Sequence, residues 1–151
     1  MKNLIQSLLW LMLFLLLLHA TYTDLRDRII WDRIHIIGVV GAGVLHCFET
    51  EAPWLNYFLT GVGVLVALTI ISVFTGGNAI GGGDIKAFAM IGFALGWSPF
   101  FSVFLISHLL AAVLILLMKV VRFRGFIRVQ KEFPFAPFIL LGLIISYMIR
   151  L

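Results

Sequence analysis

Two carboxylates stand out in this chain because so little around them is polar. Asp24 follows the apolar run Leu4–Ala20, and Asp84 follows the glycines Gly81, Gly82 and Gly83 in the stretch GGGDIKAFAM. An ionisable group at the edge of an apolar segment is costly unless it pairs, protonates or lines a wet cavity, so both are functional candidates. Each also has a plain structural reading as the marker of a helix end, and Asp84 would suit a helix N-cap. As a pair they suggest more. Two carboxylates at one depth on different helices can share the work of peptide hydrolysis. One deprotonates a water; the other, protonated, polarises the scissile carbonyl and then protonates the leaving amine. Close like charges make such a pair share a proton. The glycines would let a substrate backbone approach Asp84.

The elements that must position this pair are apolar helices. Of 151 residues, 62% are hydrophobic and 12% charged, with a mean hydropathy of +1.13. Too few charges remain to cover a soluble domain of that composition. One all-α polytopic membrane domain over residues 1–151 is expected, with about six transmembrane helices. Hydropathy and breakers place them at Leu4–Ala20, Ile34–Phe48, Trp54–Phe74, Asp84–Trp97, Phe100–Val121 and Phe138–Arg150. Asp24 then lies just after the first helix and Asp84 at the start of the fourth. Lys2 and the leucine run also resemble a signal peptide, but later segments need this one as a partner, so it reads as a retained helix. Thr21–Arg33 is a polar stretch, Glu49–Pro53 a tight turn, and Thr75–Gly83 too glycine-dense to be regular helix. Pro99 fits the first turn of the fifth helix.

With six crossings, the loops fall on alternating sides. Arg26, Arg28, Arg33, Lys86, Lys119, Arg122, Arg124, Arg128 and Lys131 share one side, and only Lys2 and Arg150 occupy the other. That bias predicts a cytoplasmic-membrane protein with the first side facing the cytoplasm, both termini outside, and both aspartates at the cytoplasmic border. The net charge of +4 is accordingly a topology signal and an attraction to anionic membrane lipids. It is no argument for nucleic acid.

Rival residues are less suited to the chemistry. Asp27 and Asp32 interleave with Arg26, Arg28 and Arg33, the pattern of a solvated ion-pair surface. Lys86, two residues after Asp84, projects from a different helix face, where it can meet lipid phosphate or tune Asp84. His19, His35, His46 and His108 are scattered along the chain and read as packing residues, so no metal and no cofactor are expected. His19 and His35 are the two near the site. Cys47 is a single cysteine in an apolar stretch, which excludes an internal disulfide. Ser72, Ser102 and Ser107 have no nucleophile context.

Gly81-Gly82-Gly83-Asp84 matches the GxGD motif of membrane aspartic proteases. The longer run GGGDIKAFAMIGFALGW resembles the second-aspartate segment of the type IV prepilin peptidases. That family has a first aspartate followed by five residues, an aliphatic, Pro, and Asn or Asp. Here DLRDRIIWD supplies Asp24, Ile30, Trp31 and Asp32, with Trp31 in place of proline. FPFAPFILLG, with Pro134 and Pro137, resembles the family's late Pro-x-x-Pro segment. The resemblance implies a GxGD-protease-like fold with Asp24 and Asp84 catalytic and Gly81, Gly82, Gly83 and Lys86 near the substrate. The implied substrate is a prepilin-like precursor, a short basic leader ahead of a hydrophobic helix, cleaved at the cytoplasmic border. Pilus or secretion machinery would be a partner. Many members carry a cysteine-rich zinc domain and also methylate the new amino terminus. This sequence resembles the short, peptidase-only form of Tad-type pilus systems and archaeal preflagellin peptidases, so methylation is not expected. A small ion- or proton-coupled transporter, or an inactive assembly partner, would also use membrane aspartates.

Overall fold

The computed structural model describes residues 2–49, 53–77, 80–123 and 134–150. Among them are six helices and no strand: α1 (Lys2–Asp27), α2 (Asp32–Cys47), α3 (Trp54–Phe74), α4 (Gly82–Leu95), α5 (Trp97–Phe123) and α6 (Ala136–Arg150). The all-α expectation holds, and α3 has the bounds expected of it. Three stretches are long and apolar enough to cross a bilayer: Leu4–Asp27, Trp54–Phe74 and Trp97–Lys119. The chain is an all-α polytopic membrane protein. By contrast α2, α4 and α6 have 16, 14 and 15 residues. At 1.5 Å per residue each is about 21–24 Å long, short of the roughly 30 Å hydrocarbon core.

α4 can be short because it is interior. It packs against α1, α2, α3 and α5, and Ala87, Phe88, Ile91 and Ala94 on it are fully buried. Lipid tails are as apolar as leucine, so helices in a bilayer associate through close packing, which small residues allow. Gly61 of α3 meets Phe93 of α4, where an added Cβ would lie 2.8 Å from the Phe93 Cβ. Gly92 meets Thr60 in the same way at 3.0 Å. Gly38 of α2 is covered by Met90, and Gly142 of α6 by Ser107. α1 contributes Leu9, Leu13 and Leu17 to the same core. Between α4 and α5 the chain turns at Gly96, whose φ of 75° only glycine adopts without strain. Pro99 falls in the first turn of α5, as expected.

Two local expectations are corrected. α1 does not end at Ala20 but continues to Asp27. Thr21–Asp27 is polar but contains neither Gly nor Pro, so the loss of hydropathy there marks the edge of the apolar zone rather than the end of the helix. The turn comes at Arg28, which takes a left-handed φ of 56°. The glycine stretch is also not all loop: Gly82 and Gly83 form the first turn of α4. Positive φ is confined to Gly76 and Gly77 among its described residues. The basic loop expected around Arg124, Arg128 and Lys131, together with Phe133 of FPFAPF, lies outside the described residues, as do Thr50–Ala52 and Asn78–Ala79.

Candidate active site

Four helix ends meet around Asp24: the last turns of α1 and the starts of α2, α4 and α6. Asp24 is buried, 8% exposed, on α1 itself. Its Oδ2 accepts a hydrogen bond from the backbone N–H of Ala136 at 3.0 Å. Ala136 is the first residue of α6, so the carboxylate satisfies one of the orphan N–H groups of that helix and lies at its positive end. Asp84 is the third residue of α4, half-buried, with Gly81 as N-cap and no side-chain cap hydrogen bond. The N-cap reading of Asp84 is therefore not what the structure shows. The two carboxylates, sixty residues apart in sequence, lie at the same end of the bundle, near the end of α1 and at the start of α4, two helices that pack together.

The connector between α1 and α2 holds this arrangement. Ile30 is buried with Ala20, Ile34 and Ala136, and it presses on Gly83, where an added Cβ would lie 3.1 Å from the Ile30 Cβ. Gly83 is thus a packing glycine. Gly81 has extended backbone, and a Cβ there would lie 3.1 Å from the Asp84 Oδ2. Only Gly82 faces open space. On the other flank Ser72 Oγ donates to the carbonyl of Ile80 at 3.2 Å, which ties the end of α3 to the approach to α4.

Lys86 and Asp32 also lie at this end. Their side chains form an ion pair at 2.6 Å between α4 and α2. Asp32 is thus paired across the fold, and Lys86 is directed at Asp32. Asp32 precedes the apolar part of α2, which begins at Ile34. The Lys86 ammonium holds its carboxyl below the ordinary carboxylate value. A lowered value means the pair persists at neutral pH and is lost only as the pH falls through it. Asp27 is exposed beside Arg26, 3.7 Å away, as a solvated surface pair would be.

Trp31 stands in the first-aspartate motif where proline is usual. Its φ of −70° and ψ of 133° are values that proline itself adopts. The tryptophan therefore keeps the backbone and adds an edge-on contact with His19, ring centroids 6.1 Å apart. Trp31→Pro is expected to leave α2 intact and to change stability by less than about 1 kcal/mol, a result that thermal unfolding followed by circular dichroism would check.

The histidines do not converge. His46 stacks on Tyr57 at 3.8 Å, His108 Nδ1 is 2.8 Å from the carbonyl of Phe104, and His35 is buried beside the Asp32–Lys86 pair. Among the described residues there is no group of three or more His, Cys, Asp or Glu that could hold a metal ion. The sequence reading missed the Ala136 N–H. Its signal was the Pro-x-x-Pro segment, whose Pro134 precedes α6 and whose Pro137 falls in its first turn, but nothing in the residues indicated which carboxylate that helix start would face.

Residues 11–116 match the type IV leader peptidase family, a segment that holds Asp24, Gly81–Gly83, Asp84 and Lys86. Over 133 residues the chain is 31% identical to a prepilin leader peptidase/N-methyltransferase of Bacillus subtilis (strain 168), an alignment covering 88% of this chain and 52% of that protein. The chain spans about half the length of this curated relative. No solved structure matches it. With the family match covering most of the chain and both aspartate segments inside it, the chain belongs to the type IV leader peptidase family.

Proposed function

We propose that the chain is a membrane aspartic endopeptidase that removes the short basic leader of prepilin-like precursors at the cytoplasmic border of the cell membrane. The observation that carries this reading is the convergence of Asp24 and Asp84 at one end of the bundle, from α1 and α4. Family membership supplies the reaction class and the substrate class. In this reading one carboxylate takes a proton from the attacking water, while the other, protonated, hydrogen-bonds the scissile carbonyl. That proton passes to the leaving amine as the tetrahedral intermediate collapses. Gly82, open on one side, and Gly81, beside Asp84, leave room for an extended substrate strand. The charge bias of the loops supports a cytoplasmic site with both chain termini outside, and the acidic site suits a basic leader. Methyl transfer is no part of the reading, and pilus or secretion machinery would receive the product.

Reconstitution into liposomes with a prepilin-like precursor tests it, with leader release followed on gels. Cleavage between leader and hydrophobic helix is expected. A preparation that cleaves no such precursor but conducts ions would overturn the proposal. Since the mechanism uses carboxylates alone, adding a strong chelator is expected to leave the rate within about twofold, against the many orders of magnitude lost when a catalytic metal is removed.

A further inference from the structure

A groove of about 420 Å³ runs along α4 between α2 and α3. It exists because α2 and α3 each pack on α4 and meet each other at the His46–Tyr57 stack, away from His35 and Lys86. Its walls are apolar, with Val39, Phe58, Met90 and Phe93 among them, and among the described residues only His35 and Lys86 of its lining are polar. His35 is 6% exposed, and neither of its ring nitrogens has a hydrogen-bond partner among the described residues. His35 therefore lines the groove with its ring carbons and adds little polarity to it.

We propose that this groove binds an anionic phospholipid, with an acyl chain against α4 and the phosphate at Lys86. The order of polarity along the groove matches that of the lipid. Lys86 and its partner Asp32 lie at the membrane border, where a charge must sit. His35 lies one helical turn further in, and only hydrocarbon follows. The Lys86 ammonium has three donors and Asp32 engages it through one oxygen, which leaves donors for phosphate. Charge decides against the other apolar occupant at hand, a precursor helix, because its basic leader would approach Lys86.

The test holds whether or not the protein is a peptidase. Purified protein is exchanged into nanodiscs containing equimolar phosphatidylglycerol and phosphatidylcholine with the same acyl chains, and the lipid retained on extraction is measured by native mass spectrometry. Wild type is expected to retain phosphatidylglycerol with about fivefold preference, as one interfacial cation would give. Lys86→Gln is expected to bring the preference near unity, and Lys86→Arg to keep it. Val39→Trp, which fills the groove, is expected to reduce retention of both lipids, and circular dichroism verifies that each variant is folded. Equal retention of the two lipids by wild type, or an unchanged preference in Lys86→Gln, would overturn the assignment. So would a photoreactive side chain at Val39 that captures a precursor or a second copy of the chain instead of lipid.

Discussion

Asp24→Asn is expected to lower the rate of leader cleavage by roughly 10²–10⁴-fold, the range for loss of a positioned proton-transfer group, with no change in helical content. The asparagine keeps an oxygen for the Ala136 N–H, so the tie between α1 and α6 at 3.0 Å survives and only the proton chemistry is lost. Asp24→Ala removes both. It leaves a buried N–H orphaned at the start of α6, at about 1–3 kcal/mol, and should lower the unfolding temperature as well as the activity. Asp84→Asn is expected to match Asp24→Asn in rate, and the double variant to be no worse than either alone, since two groups acting as one unit are not additive. Asp27→Asn serves as the control. Its side chain is exposed beside Arg26, and cleavage should stay within about twofold of wild type, as for most exposed substitutions. Leader release assayed on the five variants, with circular dichroism for helical content and unfolding temperature, checks all of this. Full cleavage by Asp24→Asn or by Asp84→Asn would remove that residue from the mechanism.

The sequence showed much of this site because its unusual feature, a carboxylate at the edge of an apolar run, is local. Hydropathy alone located Trp54–Phe74, whose ends are set by Pro53 and by the turn after Phe74. It misplaced the end of α1, because hydropathy reports the solvent a residue prefers, and a helix can continue into water as Thr21–Asp27 does. The Asp32–Lys86 pair spans 54 residues, and the neighbouring arginines made a local pairing for Asp32 look equally sensible. The Ala136 N–H is a backbone group with no side-chain signature. The three glycines looked alike in sequence and differ in place: one faces open space, one lies beside the Asp84 carboxylate, and one is pressed by Ile30. Whether a glycine serves approach or packing depends on the segment opposite, which only the fold identifies.

Gly142→Val is expected to be the most damaging single change outside the carboxylates, because no nearby atom is free to give way. A Cβ at Gly142 would collide with Ser107 Oγ and lie 2.9 Å from the Val103 carbonyl oxygen and 3.1 Å from the Ser107 nitrogen. The hydroxyl is held by that same carbonyl at 2.6 Å, and two of the three obstacles are α5 backbone. α6 must therefore move away from α5, at a cost of about 2–3 kcal/mol or more, or roughly 4–12 °C in unfolding temperature for a chain of this size. Ser107→Gly combined with Gly142→Ala should recover part of the loss, since it clears the hydroxyl but not the backbone. Gly63→Ala, on α3 with nothing within 4 Å, should cost nothing. The displacement also reaches the site. Ala136 lies less than two turns before Gly142 on the same helix, so moving α6 strains the hydrogen bond that seats Asp24. Cleavage by Gly142→Val should therefore fall even at temperatures where the variant remains folded, whereas a change that lowered only the unfolding temperature would show that Asp24 does not depend on α6 for its position.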